Sequence, residues 1–497
     1  MGFISKQKRE IYARRIKGFW TDFSHNRIGF VGLIIVIFFV LLAVVGPYTT
    51  PYLPMSQKYR PPKVASSYAA PAWLKIIPLY RDWNPTIKFI KQPEDFQSPN
   101  VTGALELKEA GTLIFNSTGE SGVATFFLGK FNYDYAPPPE ADLVFRGRIE
   151  FKGNLIFKAS IILVNYTAIP EWEEYLKNPN QAPMPMLELR TAELRTNVTT
   201  LDKQTPVGIK QIVQALFGWK NETIFEPVEI LFAGRGDYGV YLKLGFQCVG
   251  SEAYAELSIR EAGIIIWGRV HGLLGTNFHG LDLWTELVYG ARISLAVGLL
   301  AALLGTTLGI IYGVVAGYIG GIVDELLMRV VDVLLCLPVL PILLVLARLY
   351  QMNVWFIVVL IAIFGWQGLS RVIRSRVLSL KEAAFIESAK ASGASSSYLI
   401  FRHLIPNVVP IASAALILSI PGAIITEAAL SFLGFGDPNA STWGRMMYYA
   451  RELGGFSRGA WWEWLPPGLC ITFLCVGFVF IGHAVDEVVN PRLRRRR

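Results

Sequence analysis

Six runs of about twenty predominantly apolar residues constrain this chain more than any other feature: 29–48, 290–316, 325–348, 354–370, 408–433 and 467–485. A bilayer's hydrocarbon core is about 30 Å thick, and a helix rising 1.5 Å per residue crosses it in about 20 residues. Backbone N–H and C=O groups have no water to bond to in lipid, so such runs predict helices. A mean hydropathy of +0.39 with 52% hydrophobic residues excludes an average soluble domain. The expected fold class is an α-helical multi-pass membrane protein with six transmembrane helices.

The first span, 29–48, follows a basic lead and ends GPYTTPYLP, without a small-residue cleavage site, so it reads as a permanent anchor. Basic residues then set the orientation. Segments 1–28, 371–407 and 486–497 carry seven, six and five Lys/Arg, whereas 434–464 carries only Arg445, Arg451 and Arg458. Positive charge stays inside, so 1–28 and 486–497 are expected as cytoplasmic segments of a cell-membrane protein. The net charge of +9 then complements anionic inner-leaflet lipid, and the terminal RRRR is read as a topology signal, with no nucleic acid as partner.

Residues 49–275 read differently. A Pro-rich linker, PYLPMSQKYRPPK, leads into alternating segments, LVFRGRIEFKGNLIFKASIILVN and VEILFAGRGDYGVYLKLGFQC, which predict strands. Short helices are expected at PEWEEYLKN and VGIKQIVQALFGW. The result is a β-rich extracytoplasmic inserted domain of about 200 residues, enough for its own core. Asn-x-Ser/Thr sequons occur at Asn100, Asn116, Asn165, Asn197, Asn221 and Asn439, all in segments placed outside. They are candidate N-glycosylation sites, accidental matches in a Thr-rich domain being the alternative. Cys248 is alone in this region, which rules out a disulfide framework within it. GRGDYG fits a glycine fingerprint, but strand-like VYLKLGF follows it, so a hairpin turn is expected instead of a phosphate site.

The chain has no G-x-x-x-x-G-K-[ST], no H-E-x-x-H and no paired CxxC. Neither a metal nor a cofactor nor a catalytic residue is expected, and energy for uphill movement must come from another subunit.

The polar stretch 381–407 separates two apolar spans. Lys381 to Ala391 are helix formers, Gly393 suits a left-handed stop, Ser395 to Ser397 suit a cap, and Pro406 is expected to end the second helix. Its apolar teeth, Phe385, Ile386, Leu399, Ile400 and Phe401, point to a partner groove. The segment resembles the EAA loop of ATP-binding-cassette importer permeases, E-A-A, three residues, G, nine residues, I-x-L-P. Glu387-Ser388-Ala389 has the required three residues before Gly393, and His403-Leu404-Ile405-Pro406 follows nine residues later. Nearly all of 276–497 is similar to the C-type permease subunit of oligopeptide, dipeptide and nickel importers, as in GYIGGIVDELLMRVVDVLLCLP and ALSFLGFGDPNASTWGRMM. Departures are Asn277, Leu281, His483, Asn490 and the large insertion.

The resemblance implies a type I importer permease fold, with a permease core at 276–485 holding five of the spans and a coupling helix that docks on an ATPase. Its implied partners are a second permease subunit, two ATPase subunits that bind ATP and Mg, and an extracytoplasmic solute-binding protein. The implied function is import of di- or oligopeptides by alternating access, with oligosaccharides or nickel as alternatives. The rival reading is a membrane-anchored surface receptor or adhesion protein.

Within the spans, Gly305, Gly309, Gly313, Gly317 and Gly321 recur every four residues and predict close helix packing. Pro338 and Pro341 predict a kink in the third span, with a hinge or pathway bend as its use. Arg329 and Asp332 are expected to pair at i,i+3. Glu427 is the one acid well inside the fifth span, read either as a gate or pathway residue or as a structural hydrogen-bonding group.

Overall fold

The computed structural model describes residues 18–489 except 19, 98, 110, 168–185, 195–197, 207–231, 233 and 351–352. The basic segment 1–17, the tail 490–497, the two short helices expected at 170–178 and 207–219, and the sequons at Asn197 and Asn221 lie outside the described residues. Two compact units form, one from Met1–Pro62 with Leu283–Arg497, the other from Lys63–Asp282.

The second unit is built on β7 (Glu140–Asn165) and β10 (Gly236–Trp267), which pair antiparallel from Tyr238↔Asn165 to Trp267↔Glu140. The free edge of β10 pairs in turn with β6 (Ser121–Tyr133), β5 (Thr112–Ser117) and β2 (Ile87–Lys91); β3 (Asn100–Gly103) pairs with β6, β4 (Leu105–Glu109) with β5, and the short β1 (Ala70–Pro71) runs parallel to β11 (Val270–His271). The free edge of β7 takes β8 (Met186–Leu194) and β9 (Val198–Pro206). Burial alternates along β6, the period of a half-buried strand, and its inward residues meet Phe115, Phe157 and Phe246 in one core. GRGDYG enters β10 at Gly236 and is no helix N-terminus.

The unit is seven residues longer at its far end than the sequence implies. Val64 N–H donates to Gly280 O at 2.9 Å and Ala69 N–H to Thr276 O at 2.8 Å, so residues up to 282 zip onto 63–72. Residues 49–62 belong instead with the helices. Asn100 and Asn116 are exposed on strands, whereas Asn165 is 6% exposed and accepts from Thr167 N–H, which removes it as an accessible acceptor in the folded chain. Asn439 is exposed, and its Oδ1 accepts from Gln57 N–H.

Among the described residues, the first unit holds four helices long and apolar enough to cross a membrane: Arg27–Thr49, Leu283–Ile319, Ser396–Phe432 and Trp461–Val489. The core helices are α1 (Arg27–Val45), α2 (Leu283–Ile319), α3 (Gly321–Cys336), α4 (Val339–Leu349), α5 (Val354–Ile363), α6 (Gln367–Lys381), α7 (Ala384–Ala391), α8 (Ser396–Leu399), α9 (Ile405–Phe432), α10 (Trp443–Glu452) and α11 (Trp461–Val489). Two expected spans are broken. The pair α3 and α4 bends by 81°, and the pair α5 and α6 by 43°. Pro338 explains the first, because its ring drives Leu337 to φ −73°, ψ 135°, and Pro338 then caps α4 instead of kinking one continuous helix.

The glycine stripe packs α2 against α5 and α6. A Cβ added at Gly309 would lie 3.1 Å from Trp366 O, and at Gly317 2.9 Å from Val377 Cβ. Gly321 is not part of it: α2 ends at Ile319, and Gly321 takes φ +59° with open space around it. The expected Arg329–Asp332 pair does not form. Arg329 pairs with Glu325 at 3.6 Å, one helical turn back, and Asp332 with Arg371 of α6.

Candidate functional site at the α7–α8 hairpin

The polar stretch is a hairpin held to the helices by one buried side. Gly393 takes φ +82° and ends α7, and Ser395 caps α8 by accepting from Tyr398 N–H at 3.3 Å. Pro406 does not stop the second helix. It follows closely on a π-turn over Ile400–Leu404 that joins α8 to α9 into one helix, Ser396–Phe432, and such irregular turns are where a helix accommodates a proline.

The teeth divide into two sets. Ile386 and Leu399 are buried, Ile386 in a core with Val314, Ile373, Val377, Leu404 and Val408, and the half-buried Ile400 packs against the same core. They hold the hairpin in place and are not partner contacts. Phe385 and Phe401 are exposed, at 45% and 72%. Tyr398, 51% exposed, joins them: its ring lies 5.5 Å from that of His403, and the Phe385 ring lies 6.0 Å from the same imidazole. Tyr398 and His403 were missed from sequence, although an aromatic at the cap's third position and a His in the H-L-I-P ending were visible there. Glu387 and Ser388 are exposed beside Phe385, Ala389 is half-buried, and Ser388 Oγ donates back to Ala384 O at 2.8 Å.

The base of the hairpin is fixed electrostatically. Arg374 of α6 donates from Nε and Nη2 to the two carboxylate oxygens of Asp324 at 2.5 and 2.6 Å, and Lys381 Nζ donates to Tyr318 O at 2.7 Å. Fork-to-fork pairing of this kind fixes orientation as well as distance. It ties the start of α3 and the end of α2 to the helix that leads into the hairpin.

Glu427 lies apart. It is 1% exposed in α9, and Ser431 Oγ donates to its Oε1 at 2.6 Å. A cavity of about 290 Å³ opens between α2, α4, α5 and α9, lined by Gly305, Thr306, Leu343, Phe364, Ser419 and Thr426 among others. Glu427, Pro338 and Pro341 do not line it, although Thr426 and Val339 beside them do. Among the described residues no group of three or more His, Cys, Asp or Glu is placed to hold a metal ion.

Broken spans, a glycine-packed helix pair and a polar hairpin define a multi-helix membrane component. Residues 305–495 match the family described as the binding-protein-dependent transport system inner membrane component, and residues 15–71 match the N-terminal transmembrane domain of oligopeptide transport permease C. The dipeptide transport system permease protein DppC of Bacillus subtilis is 37% identical over 223 residues, 44% of this chain and 69% of that protein. A Brucella suis biovar 1 protein named as a peptide permease is 36% identical over 219 residues, 44% of this chain and 72% of the relative. The inward-facing MetNI methionine ABC transporter superposes with a TM-score of 0.33 at 18% identity, over 43% of this chain and 98% of that one. The chain belongs to the family of binding-protein-dependent transport inner-membrane components.

Proposed function

We propose that this chain is the membrane permease subunit of an ATP-driven importer of di- or oligopeptides, working by alternating access across six spans. The carrying observation is the exposed aromatic set Phe385, Tyr398 and Phe401, with the half-buried His403 ring between the first two, mounted on a hairpin whose opposite side is buried in the helix core. An apolar patch on a polar segment between spans fits a groove on a soluble partner. Two ATPase subunits would fill that role and hold ATP and Mg, leaving this chain without a catalytic site. A second permease subunit and an extracytoplasmic solute-binding protein complete the assembly. The basic segments put both termini in the cytoplasm and the β-rich unit outside, where it docks or shields the binding protein and where Asn100 and Asn116 are the open glycan acceptors.

Mass spectrometry of the proteins that co-purify with the tagged chain in mild detergent tests this reading. ATPase subunits and a second permease are expected. A chain recovered alone, under conditions that preserve other membrane complexes, overturns it in favour of an anchored receptor.

A further inference from the structure

A second pocket, also about 290 Å³, lies between α2 and α5, open to the surface at Arg292, Ala296 and Trp355 and walled by Ile293, Val297 and Asp437. Its wall is aliphatic and aromatic except for one cation and one anion. Arg292 interrupts an apolar helix near its start, and its Nε donates to Ala43 O at 2.7 Å, the open end of α1. That bond uses one of the five guanidinium donors. Asp437 accepts from Val354 N–H at 3.1 Å and from Asn439 N–H at 2.8 Å, one bond on each oxygen, while a carboxylate has about four acceptor positions. Both groups are therefore fixed by backbone and retain hydrogen-bonding capacity. Arg292, an ionisable residue within a membrane span that faces a cavity, marks a solute path by default, and Asp437 faces the same space from the segment that follows α9.

We propose that this cavity is a subsite for the zwitterionic backbone of a short peptide, Arg292 receiving the carboxylate and Asp437 the ammonium. The apolar wall of Ile293, Val297, Leu300 and Val358 accepts small side chains without choosing among them, which suits a carrier of mixed sequences. The volume suits a dipeptide or one end of a longer chain. This inference rests on the peptide-import reading and narrows it to free termini.

The test uses the full chain with its co-purified partners in phospholipid nanodiscs. Ala296 is replaced by cysteine, and its labelling by a small charged thiol reagent is timed, with the parental protein as background for the native cysteines. Alanyl-alanine at millimolar concentration is expected to slow labelling about threefold or more, and N-acetyl-alanine amide, which has no charged ends, to leave it unchanged. Losing one charge-assisted contact weakens such binding about tenfold, so Arg292→Gln and Asp437→Asn should each abolish protection, while Arg292→Lys keeps part of it. No protection, equal protection by the uncharged compound, or protection that survives Arg292→Gln or Asp437→Asn overturns the subsite. ATP-driven uptake of the same dipeptide into proteoliposomes is measured alongside. A complex that imports it without protection removes only the subsite; a complex that imports no peptide removes the substrate reading beneath it.

Discussion

Gly313 of α2 lies so close to Ser370 of α6 that an added Cβ would stand 2.5 Å from the Ser370 carbonyl oxygen. The obstacle is backbone, which cannot rotate away, so Gly313→Ala must push the helices apart at a cost of about 1–3 kcal/mol. At Gly305 the nearest atom to the same Cβ is Ala362 O at 3.5 Å, an ordinary contact. Thermal unfolding in detergent should therefore show a clear loss for Gly313→Ala and little for Gly305→Ala. Equal effects would mean that the glycine spacing, and not the local approach of α6, governs the stripe.

The two faces of the hairpin separate docking from folding. Phe401 is 72% exposed, so Phe401→Ala should leave insertion and unfolding unchanged while reducing recovery of ATPase subunits on the tagged chain. Ile386 is fully buried in the core under the hairpin, and Ile386→Ala should cost about 2–5 kcal/mol and loosen the loop itself. Unfolding curves paired with pull-down yields for both variants distinguish the roles. Full ATPase recovery with Phe401→Ala, Phe385→Ala and Tyr398→Ala combined would rule out the aromatic face as the contact.

What was legible in the sequence follows from how local each constraint is. Gly393 and Ser395 were readable because a left-handed stop and a hydroxyl cap are decided by the residue and its immediate neighbours. Ile386 was misread as a partner contact because a short helix presents apolar residues on two sides, and only packing against Ile373 and Val377 decides which is inward. Arg329 and Asp332 failed as a pair for the same reason, since Arg371 lies thirty-nine residues beyond Asp332 in sequence. Arg292 was visible as a lone cation in an apolar run, but its opposite charge, Asp437, is far along the chain, so the cavity they share could not be read from either.

Backbone strain at Gly393 gives a second, independent handle on the hairpin. No atom lies within 4 Å of a Cβ added there, so substitution is opposed by φ +82° alone. A β-branched residue in that region costs about 1–2 kcal/mol, which the chain can escape by reshaping the turn. Gly393→Val should keep the protein in the membrane at normal abundance and uncouple ATP hydrolysis from solute uptake in proteoliposomes. Normal uptake per ATP hydrolysed would refute the assignment of 381–407 as the coupling segment.

In the β-rich unit, Glu140 carries a pH dependence whose sign is fixed by its partners. Burial alone raises its pKa, but the Lys63 ammonium, which it contacts directly, and the Ser67 N–H at 3.0 Å outweigh that, and the carboxyl is held below the usual range. A carboxylate whose pKa is lowered on folding stabilises the fold above its unfolded pKa of about 4.3, and that contribution disappears as pH falls through the lower folded value. Both side chains are about a third exposed, so the contribution is about 1 kcal/mol. Hydrogen exchange of the segment around Ser67 should be slow at pH 7 and, after correction for the intrinsic rate, show loss of protection below about pH 4. Glu140→Gln should lower protection at neutral pH and remove that acid transition. If the transition persists in Glu140→Gln, another carboxylate controls it, and the Lys63–Glu140 contact is not what closes the start of the unit onto β7.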